Sequence, residues 1–148
     1  MGGRRVKRDA LPLHSVSVTG VVVRDDGYVL AIKRADDGRW VPPGGVLELD
    51  ETPQEGVVRE VFEETGLKIE PERLTGVYKN VKLGVVTLAF LCRPVSGEAG
   101  PSAEATQVEW LSPEEAANRM PEARAARVAD ALRSGGPFVR SHDGNALL

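Results

Sequence analysis

The chain is poor in several residues whose abundance would assign it a class. Its 148 residues include one cysteine, two histidines and only 5% aromatic side chains. The lone thiol, Cys92, excludes an internal disulfide; lying in an apolar run, it is expected to be buried and inert, as suits a reducing cytosol. So few aromatics leave no dense stacking surface for nucleic acid. Nor is there a surplus of positive charge: 19 Lys and Arg against 22 Asp and Glu give −3 at pH 7, so nucleic acid is not an expected partner. No apolar stretch approaches a membrane span, and the start, "MGGRRVKRDALP", lacks the apolar core of a signal peptide. The expected location is therefore cytoplasmic, with no membrane partner.

What is present suits one soluble domain, large enough to bury a core without disulfides or a structural metal. No internal repeat or long linker divides it. Residues 1–12 are expected to form a flexible basic end, 13–134 a single domain, and 135–148 an irregular tail. Arg4, Arg5, Lys7 and Arg8 in the first part are either a solvated cluster or an arm that helps hold a phosphorylated ligand.

From His14 to Arg34 the pattern reads strand, turn, strand, with "DDG" at the turn. "ADDGRWVPPGG" is a loop. "RLTGVYKN" and "GVVTLAFLCR" read as strands, the second continuously apolar and so central. "ATQVEWL" is a further strand. "SPEEAANRMPEARAARVADALRSGG" is helical, with Pro121 dividing a short helix from a longer one. The alanine-rich second part is expected to cover its own sheet, although it would also suit a partner, and either monomer or homodimer is compatible. Strands on both sides of a helix, with helices again near the end, predict an α/β fold with a mixed sheet between helices.

The remaining stretch, "GGVLELDETPQEGVVREVFEETGL", holds seven carboxylates and one arginine. Thr52 as N-cap, Pro53 at the first helical position and Glu55 three residues on form a capping box, and Gly66 can end the helix in the left-handed conformation. The predicted helix runs from Pro53 to Thr65. At about 100° per residue, Val57, Val58, Val61, Phe62 and Thr65 share one arc and are expected to be buried; Glu60, Glu63 and Glu64 share a neighbouring arc. These three acids lie where the helix dipole disfavours negative charge, and like charges at this spacing repel. The run is either a solvated face or a site for something positive. A surface serving only solubility would mix in lysines, whereas clustered hard oxygens are what Mg²⁺ or Mn²⁺ require.

The same residues resemble the Nudix box, G-x5-E-x7-R-E-U-x-E-E-x-G-U with U apolar. Gly45, Glu51, Arg59, Glu60, Val61, Glu63, Glu64, Gly66 and Leu67 occupy its specified positions without departure. The flanks agree: "W-x-x-PGG" (Trp40, Pro43, Gly44, Gly45) after two strands, and a strand followed by "SPEE". The resemblance spans roughly residues 14–133 and points to a small MutT-like member with the Nudix α/β/α sandwich.

It implies metal-dependent hydrolysis of a pyrophosphate bond in a nucleoside diphosphate linked to another moiety. The substrate would be a nucleoside triphosphate, an oxidised nucleotide or a nucleotide sugar. Glu60, Glu63 and Glu64, with the carbonyl of Gly44, would hold Mg²⁺ or Mn²⁺. Arg59 would pair with Glu51 and orient the glutamates, while Gly45 and Gly66 would shape the loop before the helix and the turn after it. Glu63, Glu64 or Glu104 would serve as base, Glu104 being equally readable as an exposed loop acid. Arg34 and Arg39 are candidate phosphate contacts or plain surface; Trp40 is either a stacking platform or a core-closing side chain. Tyr28, Tyr78 and Phe90 are expected in the core, and His14 and His142 suggest no role. The alternative is a nucleotide-sensing module without hydrolysis, which commonly loses box carboxylates that this chain keeps.

Overall fold

In the computed structural model the described residues are 10–148, so the cluster of Arg4, Arg5, Lys7 and Arg8 lies outside them. In chain order the elements are β1 (Ser15–Val22), β2 (Val29–Arg34), β3 (Trp40–Val41), β4 (Gly44–Val46), α1 (Pro53–Thr65), β5 (Lys68–Asn80), β6 (Val85–Ser96), β7 (Ala105–Leu111), α2 (Pro113–Arg119), α3 (Glu122–Leu132) and β8 (Phe138–His142).

The described strands form a mixed sheet in the order β4-β1-β6-β5-β8 and a smaller antiparallel sheet in the order β3-β2-β7. The apolar run of β6 is central, paired in parallel with β1 and antiparallel with β5. β1 and β2 do not form the strand–turn–strand pair read from sequence. They meet only at a Val23–Val29 bridge and then enter different sheets. The reason lies in burial: Val18–Val22 is buried without a break, as suits a strand covered on both faces and paired in parallel.

Alternation along β1 and β6 separates two cores. Val18, Val22, Phe90 and Cys92 face α1 and pack with Val57 and Val61. Val21 and Leu91 face the other side, where Ala116, Met120, Val128 and Ala131 of α2 and α3 cover the sheet. Helices on both faces of a mixed sheet make the α/β/α sandwich. Each fully buried valine contributes about 1.5–3 kcal/mol. Pro121 divides α2 from α3, and the alanine-rich helix lies on β1, β5 and β6 of its own chain. Cys92 is buried, and burial pushes its thiol up to about 12, leaving it inert.

Further expectations need correction. Phe62 is 48% exposed, because the buried arc of α1 is turned toward Glu60 and Glu64, which take its place. The tail is not irregular throughout: β8 pairs in parallel with the edge of β5, from Gly76–Phe138 to Asn80–His142. What holds β8 is a buried polar junction. Asp130 of α3 accepts hydrogen bonds from Tyr78 Oη (2.8 Å), Arg140 Nε (2.7 Å) and Arg140 Nη2 (2.8 Å). Tyr78 and Phe90 are in the core as expected, whereas Tyr28 is 38% exposed beneath Arg24. Among the described residues no helix is long and apolar enough to cross a membrane.

Candidate active site

The helix that carries the acids is held at both ends. Thr52 Oγ1 accepts the Glu55 N–H at 3.2 Å, Glu55 returns the bond to the Thr52 N–H at 2.8 Å, and Gly66 closes the last turn at φ 77°. This sets the helix phase, and with it the direction of three glutamates one turn apart.

The three do not point alike. Glu60 and Glu64 are buried, while Glu63 is exposed. Arg59 donates to Glu51 through Nε (2.9 Å) and Nη2 (2.5 Å), and through Nη1 to Glu60 (2.9 Å) and Glu63 (3.2 Å). Its bonds to Glu51, aided by the Glu48 N–H, hold that carboxyl down to about 2. Glu64 has a weaker partner, the Gly44 N–H at 2.8 Å. Burial pushes its carboxyl up to about 8; the Gly44 bond opposes the rise, and the charges of Glu60 and Glu104 add to it. Burial also raises Glu60, against the pull of Arg59.

Gly45 has a role different from the loop shaping expected of it. A Cβ there would lie 2.5 Å from the Glu60 carboxyl carbon, so the missing side chain is the space that Glu60 occupies.

Both buried acids open onto a cavity of about 730 Å³. Gly44, Gly45 and the exposed Glu104 line the same end, the last on the loop before β7. Arg34 is on the wall, bound to Asp36 through Nε (2.9 Å) and Nη2 (2.6 Å). Arg39, Trp40, Arg59 and Glu63 are not among the lining residues. Trp40 instead packs against the α2–α3 core, with the Arg119 guanidinium 5.6 Å from its ring, so the core-closing reading describes it.

Another part of the cavity lining was not foreseen: Arg124 and Arg127 of α3, with Thr19, Asn80 and His142. His142, to which the sequence suggested no role, is 1% exposed. One signal was available: at about 100° per residue Arg127 falls between Ala123 and Ala131, a charge in the middle of the apolar arc.

The donor set fits a hard divalent cation. One guanidinium serves Glu51, Glu60 and Glu63, and Glu64 has only a backbone N–H, so negative charge is left uncompensated beside the cavity. Among the described residues no three acidic, His or Cys side chains close around a single point. Arg59, wedged between Glu60 and Glu63, keeps those two carboxylates on its own nitrogens.

A capped acidic helix facing a cavity in an α/β/α sandwich is the arrangement found here, and comparison assigns it a class. The NUDIX domain profile matches residues 13–132. A MutT-like protein of Streptomyces ambofaciens is 60% identical over 137 residues, 93% of this chain and 89% of that one. An ADP-ribose pyrophosphatase of Methanocaldococcus jannaschii is 35% identical over 116 residues, 73% and 68% of the two chains. The crystal structure of an ADP-ribose pyrophosphatase from Streptococcus suis superposes with a TM-score of 0.70 at 26% identity, covering 88% of this chain and all of the other. The chain belongs to the Nudix family. Within it, this is a MutT-like pyrophosphohydrolase.

Proposed function

We propose that the protein hydrolyses a pyrophosphate bond in a nucleoside diphosphate linked to another moiety, with Mg²⁺ or Mn²⁺ as cofactor. Candidate substrates are ADP-ribose, a nucleotide sugar, an oxidised nucleotide or another nucleoside triphosphate. The observation that carries this is the pair of buried glutamates, Glu60 and Glu64, at a cavity wall, where one guanidinium is shared by Glu51, Glu60 and Glu63 and none reaches Glu64.

In this reading Glu60, Glu63 and Glu64, with the Gly44 carbonyl, hold the cation. Once bound, it neutralises the acids, polarises a phosphoryl oxygen and acidifies a water. Arg59 orients Glu60 and Glu63, and Glu51 anchors Arg59. The Gly44 N–H fixes one oxygen of Glu64 and leaves the other to face the cavity. Glu104 or Glu64 takes the proton of the attacking water. Arg34 contacts a substrate phosphate, exchanging part of its bond to Asp36. The single buried thiol suits a reducing compartment, and we assign the reaction to the cytoplasm.

The test is phosphate, pyrophosphate or monophosphate release from ADP-ribose, nucleotide sugars, ordinary and oxidised nucleoside triphosphates and dinucleoside polyphosphates. Wild type and Glu64→Gln are compared with Mg²⁺, with Mn²⁺ and with EDTA. Metal-dependent turnover lost in the variant is expected; turnover that persists in EDTA, or is untouched by the substitution, overturns the reading.

A further inference from the structure

The cavity lining includes the acids Glu60, Glu64 and Glu104 and the guanidiniums of Arg124 and Arg127. Among the described residues neither arginine forms an ion pair with a carboxylate. Arg127 is 2% exposed; its Nη1 donates to Thr19 Oγ1 at 3.0 Å, and its Nε–H has no acceptor among the described residues. Its guanidinium lies 5.3 Å from the centroid of the Tyr78 ring, and the charge of a second cation, Arg124, bears on it. The charges of Arg34 and Arg39 bear on Arg124 in turn, opposed by Asp37.

His142 adds a donor. Its Nδ1 accepts the Gly144 N–H at 2.9 Å, so the hydrogen of the neutral ring is on Nε2, and Nε2 is buried without a partner. Burial and the two arginines lower its pKa and keep the ring neutral. Asn80 Oδ1 is taken up by the N–H groups of Lys82 and Leu83, leaving its amide nitrogen as a further donor. Arg127 Nε and His142 Nε2 are thus buried donors without acceptors, and no carboxylate of the described residues is paired with either guanidinium. A buried guanidinium without an anion is costly, and buried donors without acceptors add to that. A neutral acceptor would satisfy the hydrogens but not the charge; an oxyanion satisfies both.

We propose that Arg124, Arg127 and His142 form a phosphate subsite, which takes a phosphate of the substrate's own. This rests on the pyrophosphohydrolase reading, and it narrows the substrate to one with a phosphate that reaches these donors as well as the metal-binding acids.

Inorganic phosphate in EDTA is the probe, because without a cation the acids repel anions and the guanidiniums are left to bind them. Binding is followed by ³¹P line broadening and by the ¹⁵N–¹H signals of Arg127 Nε and His142 Nε2. Phosphate is expected to shift both signals, and Arg124→Gln to weaken it by about tenfold or more. Arg124 is half-buried, so this variant remains informative if Arg127→Gln fails to fold. ADP added with Mn²⁺ is expected to displace the phosphate. Unmoved signals, or equal affinity in Arg124→Gln, overturn the subsite; phosphate that stays bound beside ADP overturns its assignment to substrate. Hydrolysis without phosphate binding defeats the subsite alone. Phosphate binding without hydrolysis of any candidate defeats the hydrolase reading and leaves the subsite supported.

Discussion

Helices α1 and α3 cover opposite faces of the same sheet, and each presents like charges to the cavity between the sheet and its loops. They are held in opposite ways. α1 is fixed by its ends, with a capping box at Thr52 and a left-handed Gly66. α3 starts at Pro121 without a side-chain cap, and its polar anchor lies along its length, where Asp130 binds Tyr78 and Arg140. A helix set by its caps can carry a partly buried salt-bridge system such as that of Arg59. A helix set by buried partners carries its charges inside, where each needs a specific answer.

If this contrast is right, the two helices should fail differently. Glu64→Gln in α1 should leave the fold intact and lower kcat/KM by about 10²- to 10⁴-fold, as expected for a ligand or proton acceptor. Asp130→Ala in α3 should do the reverse. It strands the Tyr78 hydroxyl and the Arg140 guanidinium, and breaking such a buried pair costs about 3–5 kcal/mol, read as a lower urea midpoint. Comparable loss of stability in both variants would break the comparison.

The pH dependence sharpens it further. In the metal-free protein Glu64 is raised to about 8, against 4.5 when unperturbed. Between those values the folded chain keeps a proton that the unfolded chain has released. Its stabilising effect is therefore complete below pH 4.5 and is lost as the pH rises through 8. In EDTA, the wild-type unfolding free energy should fall from pH 5 to pH 8 relative to Glu64→Gln, and a flat difference would contradict the assignment. Gly45→Ala should destabilise by about 1–3 kcal/mol, since a methyl there meets the Glu60 carboxyl, and thermal unfolding measures it. The smallest effect belongs to the cap: Thr52→Ala should cost about 1 kcal/mol, with turnover nearly unchanged.

The same contrast explains what could be read in advance. The bounds of α1 follow from local chemistry, since a cap, a proline and a glycine act within one turn of themselves. The division at Pro121 and the central place of β6 are legible for similar reasons, a missing N–H and an unbroken apolar run. The separation of β1 from β2 was not, because pairing with β6 is decided by residues seventy positions away. Nor was Phe62, whose exposure depends on Glu60 and Glu64 taking the buried arc. Arg127 and His142 became visible only in three dimensions, since neither belongs to a spaced motif and both are brought to the cavity by α3 and β8.

The pairing of β8 with β5 has a consequence in time. The cavity acids Glu60, Glu64 and Glu104 precede Arg124, Arg127 and His142 of α3 and β8 in the chain, so they are synthesised first. A chain interrupted before Phe138 would still carry every residue of the signature box, yet would lack the strand that brings Arg140 to Asp130 and His142 to the cavity. Parallel pairing over such a separation in sequence is also slow to form. Possession of the box is thus no measure of a finished site. The last strand acts as the completion signal, and its protection from hydrogen exchange would report when the molecule is ready to work.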